Sequence, residues 1–227
     1  MRRLRGPSAV VVAVTVAAGL LTGCAGRGPT TLTAGDRPPA DGGPARLVVV
    51  HAADLPGFDE SPPSALEPAG ARAAGDFEAC AGAAVTLDGA EHSAVSPGFV
   101  KDRSTLVTSL AIVSSDRQAA ERAMDDLSRS DIGACLTELF TGVLSLDLLP
   151  GATTRTELLP AREIGDQSVT WRTTISVGPG AAPAQVFSDL TFVRSGRTVA
   201  ALFSVGVGQP FPSAERARVL DRMLDRM

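Results

Sequence analysis

Three observations predict an α+β fold for this sequence, an antiparallel β-sheet meander with helices packed on one face. Four β-rich runs, 153–159, 167–177, 185–194 and 198–207, follow one another in the second half. Turn signals separate them at Gly165-Asp166, Gly178-Pro179-Gly180 and Ser195-Gly196-Arg197. Stretches with apolar residues at helical spacing lie before this block and after it. Runs of strands and runs of helices that do not alternate favour an antiparallel sheet with helices set against it.

Taken in order, the chain opens on a basic segment, Met1-Arg2-Arg3-Leu4-Arg5, then an apolar run over 9–21 that ends in small residues. That is the layout of a secretory signal, and the run is too short to span a bilayer, which takes about 20 residues. Leu21-Thr22-Gly23-Cys24 closes it in the order of a lipobox. Residues 1–23 are therefore expected to be a lipoprotein signal peptide, with Cys24 the lipidated first residue of the mature chain. Two or more acyl chains are enough for stable anchoring, so the expected location is the cell membrane, lipid-anchored on the extracytoplasmic side.

Cleavage would remove Arg2, Arg3 and Arg5 and no acid, leaving 18 basic and 25 acidic side chains. An acidic balance argues against nucleic acid as a partner and against a basic grip on anionic head groups. Residues 24–45 carry Gly, Pro, Thr, Ala and Asp without apolar period, and read as a lipidated N-terminus followed by a disordered linker. Thr30, Thr31 and Thr33 are acceptors for O-linked sugar, with an unmodified linker as the default.

Residues 46–227 form the single folded domain that about 200 residues predict. An apolar run over 46–51 leads into the turn-rich Asp54-Leu55-Pro56-Gly57, and Ser61-Pro62-Pro63 reads as irregular. A helix is expected over 70–83 with Phe77 and Cys80 on one face. A first strand is expected over 93–100, a turn at Lys101-Asp102-Arg103, and a central strand over 105–113. Ser115 with Gln118 gives a capping box for a helix running to 128, whose dry stripe is Ala119, Ala120, Ala123, Met124 and Leu127. Asp131 starts another helix, through Cys135, Leu136, Leu139 and Phe140. Val169, Trp171, Thr173, Ile175 and Val177 form the dry face of their strand, and Val199, Ala201, Phe203, Val205 and Val207 the inner face of the last one. Pro212-Ser213 opens a closing helix with Ala217, Leu220, Leu224 and Met227 on one side.

The chain has three cysteines. With Cys24 lipidated, Cys80 and Cys135 remain, and an even remainder in an oxidising compartment reads as one disulfide; two buried thiols are the other reading. A bridge across about 55 residues would stabilise the fold by roughly 4 kcal/mol before strain.

Several of these stretches together resemble the PknH-like domain, the extracellular sensor domain of actinobacterial membrane serine/threonine kinases and of lipoproteins that carry it alone. The matching residues are Ala53-Asp54-Leu55-Pro56, the strand–helix step over 110–120 with Asp116 and Ala119-Ala120, Cys135, and the hairpin from Val193 to Val199. The resemblance spans most of 46–227. Domains of that family often hold two disulfides, where this chain can make one, and a Trp before the helix Cys, where this chain has Asp131-Ile132-Gly133-Ala134. What it implies is a binding domain outside the cell with a cleft between sheet and helices.

Catalytic signatures are scarce. His51 and His92 are the only histidines and neither has a helical i, i+4 partner for a metal. No Gly-x-Ser-x-Gly elbow, phosphate-binding loop or His-Glu-x-x-His occurs. Glu91 and His92 with a distant Ser have no sequence support as a triad. Asp59-Glu60, Asp88 and Asp125-Asp126 lack the spacing of an EF-hand loop, so no metal or other cofactor is expected. The expectation is a non-enzymatic, membrane-anchored, ligand-binding or sensor-like domain whose ligand-binding residues the sequence leaves unknown. Trp171, Phe187, Phe192 and Phe203 are candidate cleft walls, with plain core as the alternative for each. Two other readings stand beside it: a carrier of lipid or other apolar molecules, and an envelope protein-interaction module.

Overall fold

The computed structural model describes residues 42–61, 90–144, 152–160, 162–178 and 184–227. The signal peptide, Cys24, nearly all of the linker, the helix expected over 70–83 and Cys80 lie outside the described residues.

A single antiparallel sheet of eight strands carries the domain. After a helical turn α1 (Ala45–Val48) come β1 (Asp59–Ser61), β2 (Ala90–Val95), β3 (Gly98–Lys101) and β4 (Thr105–Ser114). Helices α2 (Arg117–Leu127) and α3 (Asp131–Leu144) follow, then β5 (Thr153–Leu158), β6 (Gln167–Val177), β7 (Ala184–Ser195), β8 (Thr198–Val207) and α4 (Ser213–Leu224). Spatial order is β1-β3-β4-β8-β7-β6-β5, with β2 paired to β4 beside β3. The α+β class and the antiparallel sheet are as the sequence predicts, and β6 and β8 keep the bounds read from pattern alone.

Four local expectations change. The strand expected over 93–100 is two strands on one edge of β4: β3 pairs its start and β2 its end. Pro97 separates them, because a residue without N–H and with fixed φ cannot sit inside a ladder. Buried Ser96 mends the break: its N–H donates to Ser109 O and its Oγ accepts from Ser109 N–H, both at 2.9 Å. Ser61, read as the start of an irregular stretch, instead ends a short strand, Asp59–Ser61, that pairs with β3. Asp116, not Ser115, caps α2: its Oδ1 accepts from Ala119 N–H at 2.7 Å, the reach an N-cap carboxylate has to the third helical amide.

The fourth change is architectural. Helices cover both faces of the sheet, not one. On the first face, Ala120, Met124 and Leu127 of α2 and Ile132, Leu136 and Phe140 of α3 pack on Val169, Trp171, Phe192, Ala201 and Phe203. On the second, Val219, Leu220 and Met223 of α4 join Val48, Val50, Phe99, Val107, Val193, Ala200 and Leu202. Strand parity separates the two sets, since successive side chains point to opposite faces. In β8 both parities are apolar and all but its last residue are buried, the mark of a strand covered on both sides.

Candidate functional site: a polar shelf on the second face

The second face is apolar only over half its width. No residue of β5 or β6 belongs to the cluster under α1 and α4. There Thr170, Arg172, Thr174 and Ser176 of β6 are half-buried, and Thr153, Arg155 and Glu157 of β5 are exposed. The register sets Glu157 beside Arg172, which lies beside Asp189 of β7, so one row of charge crosses three strands.

Asp189 is the centre of this shelf. It is 1% exposed and is held by two guanidinium groups. Arg172 approaches in bidentate fashion, Nε to Oδ1 at 2.6 Å and Nη2 to Oδ2 at 2.7 Å. Arg216 of α4 donates from Nη1 to Oδ2. Asp189's hydrogen bond, helped by the charges of Asp189 and Glu157 and opposed by burial, holds the Arg172 guanidinium above its ordinary value. The Arg172 guanidinium also lies 5.9 Å from the centroid of the Phe187 ring, a cation–π distance. Beside it Thr170 donates to Thr191 at 3.1 Å. Ser204, the cross-strand neighbour of Asp189, has a buried hydroxyl without a hydrogen-bond partner among the described residues.

Two guanidinium groups meet on one buried carboxylate, with Glu157 beside Arg172 on the neighbouring strand. Each guanidinium has five N–H donors, and the Asp189 contacts use only some of them. Such an arrangement can hold a carboxylate, phosphate or carbonyl oxygen. Among the described residues no group of three His, Cys, Asp or Glu is placed to hold a metal ion.

The residues singled out from sequence fall elsewhere. Trp171, Phe192 and Phe203 are core residues of the first face, and only Phe187 reaches the shelf. Trp171 donates from Nε1 to Leu127 O at 2.9 Å and its ring lies where a Cβ on Gly133 would come within 2.9 Å. The first turn of α3 is thus packed against an indole from β6. Cys135 faces the first core, 4% exposed. His51 is exposed and 3.3 Å from Leu47 O, and His92 packs against Gly43.

The motif residues of the resemblance turn out to be fasteners. Asp54 is buried and accepts from Arg226 Nη2 at 2.8 Å and from His51 N–H at 2.9 Å. Burial pushes the Asp54 carboxyl up, but these bonds with the charges of Arg226 and Arg222 outweigh it and hold the group below 3.8. Arg194, 3% exposed, joins Gln167, Asp166 and the Gly196 carbonyl at 2.7 to 2.9 Å, tying the start of β6 to the β7–β8 hairpin. The residues sequence reasoning missed are Arg172, Asp189 and Arg216. An Asp in mid-strand was the available signal, but its second partner comes from a helix 27 residues further on.

No protein-family model matches the chain. No curated protein matches it either. Among solved structures it is similar to the extracellular domain of PknH from Mycobacterium tuberculosis, at 10% identity and a TM-score of 0.40, over 63% of this chain and 68% of that one. Similarity at that level is one of overall fold and transfers no ligand, partner or residue role.

Proposed function

We propose that this chain is an extracytoplasmic lipoprotein, anchored in the cell membrane through Cys24, whose folded domain binds a ligand and catalyses nothing. The observation that carries the reading is Leu21-Thr22-Gly23-Cys24 at the end of an apolar run behind a basic start. A tether from 25 to 41 then sets the domain off the surface, ending before α1, whose Ala45 is buried in the core, and the Cys80–Cys135 bridge is part of the same proposal, since export supplies the oxidising compartment. The likeness to an extracellular sensor domain is compatible with that placement.

For the ligand, the polar shelf is the surface we assign. Half-buried donors on Arg172 and Arg216, next to Thr170 and Phe187, suit a small polar molecule bearing negative charge better than an apolar cargo. The aromatic residues that would wall an apolar cavity, Trp171, Phe192 and Phe203, are taken up in side-chain packing.

Blocking lipoprotein signal cleavage with globomycin, or the substitution Cys24→Ala, should leave an uncleaved precursor without incorporated fatty acid; normal processing of the variant overturns the anchoring. Native mass spectrometry of protein isolated from its own host should show a co-purifying anionic metabolite. A bound lipid would favour the carrier reading, and an empty domain the protein-interaction reading.

A further inference from the structure

Strand β5 ends the sheet, and among the described residues its outer side has no strand partner. Leu159 N–H donates inward to Thr170 O at 2.9 Å. Antiparallel ladders alternate, so Thr153, Arg155 and Glu157 also bond inward, while the backbone groups of Thr154, Thr156 and Leu158 point out of the sheet. An open row of this kind is a template for another strand. The opposite end of the sheet is blunter: β1 has three residues, two of them acidic.

We infer that β5 pairs with β5 of a second copy of this chain, antiparallel, about a two-fold axis at Thr156. The strand is self-complementary in that register and no other element is needed. Thr156 meets Thr156 of the second copy, and Thr154 meets its Leu158, so all three outward residues fall in hydrogen-bonded pairs. Arg155 then stands opposite Glu157 of the second copy, and Glu157 opposite its Arg155. These are non-hydrogen-bonded pairs, where side chains come closest, and symmetry supplies the contact twice. Within one chain Arg155 and Glu157 are only a loose pair at 3.4 Å, with side chains 82% and 46% exposed.

The helix layer allows the approach and gives it an apolar contact. Helix α3 crosses the sheet obliquely, with Gly133 against Trp171 of β6 and Thr141 bonded to Thr154 of β5. It leaves Leu158 uncovered, 51% exposed, one of two large apolar side chains in that state among the described residues. In the proposed register Leu158 lies opposite Thr154 of the second copy, below the C-terminal part of that copy's α3. Both polar shelves then lie on the same side of one continuous sheet. The pairing stands independently of what the shelf binds.

The test is oxidative cross-linking of the full chain in membranes. A hydrogen-bonded antiparallel pair sets Cα atoms about 5.5 Å apart, inside the range a disulfide spans. The Thr156→Cys chain should form a bridged dimer on mild oxidation, whereas Glu60→Cys, at the other end of the sheet, should not. Adding Arg155→Glu, or Glu157→Arg, to Thr156→Cys sets like charges opposite each other and should lower the dimer yield about tenfold. Co-expressing those two charge variants should restore it, which misfolding of either would not. Absence of a bridged dimer, equal bridging from Glu60→Cys, or no rescue in the mixed pair each overturns the inference, as does bridging to a different protein alone.

Discussion

The two faces of the sheet use the same strands and reach opposite outcomes. On the first face every strand from β4 to β6 lies under α2 and α3, and Trp171 anchors both helices by filling the space at Gly133 and bonding Leu127 O. On the second face α1 and α4 cover β3, β4, β8 and the end of β7, and the sheet continues beyond them as a polar shelf. The difference lies in how a buried charge is tolerated. Asp189 sits under α4 because Arg216 comes down from the helix and Arg172 across from β6; an unpaired carboxylate there would not remain charged. One face is specified by shape, the other by charge pairing at the margin of an open surface.

The largest effect expected is on the first face. Trp171→Ala should cost about 3–5 kcal/mol by cavity formation and loosen α2 and α3 together, seen as a lower urea midpoint. If α2 and α3 keep their hydrogen-exchange protection, they are not anchored through the indole. Next comes the charge centre of the second face. Asp189→Ala strands two half-buried guanidinium groups and should cost about 3 kcal/mol, while Asp189→Ala with Arg172→Met and Arg216→Met should recover most of it. Without that recovery, the cluster is not held by its internal pairing.

Asp54 fastens the turn after α1 to Arg226, just past the end of α4, and its carboxyl is held below its ordinary value. A depressed carboxyl contributes stability that is present above the unfolded value and lost as pH falls through the folded one. Asp54→Asn should therefore cost about 2 kcal/mol at neutral pH, and the gap from the wild type should close as pH drops below 3.8. A gap independent of pH would assign the effect to packing. The smallest effect belongs to the shelf: Thr174→Val should change stability by no more than about 0.5 kcal/mol. A loss of several times that would mean the shelf is covered in the native protein.

Much of the fold was legible because it rests on period and punctuation. Alternation in β6 sorted Val169, Trp171 and Ile175 from Thr170, Arg172 and Thr174 correctly, since a period of two has no other reading over eleven residues. Gly196, at a φ of 57°, was legible as the loop of the β7–β8 hairpin because few residues adopt that conformation. The layer of α4 was less legible although β8 is apolar at both parities, because local pattern does not say which element covers Ala200 and Leu202. The candidate shelf was not legible at all. Arg172, Asp189 and Arg216 are far apart in the chain and each is ordinary where it stands.

By itself the sequence determined most of the described strands and helices, because each depends on neighbours within a few residues. Tertiary structure alone decided which face each helix covers, where the apolar layer stops and which charges meet. Those outcomes depend on pairing between β6, β7 and α4, and local pattern carries no information about contacts that close only when the sheet does.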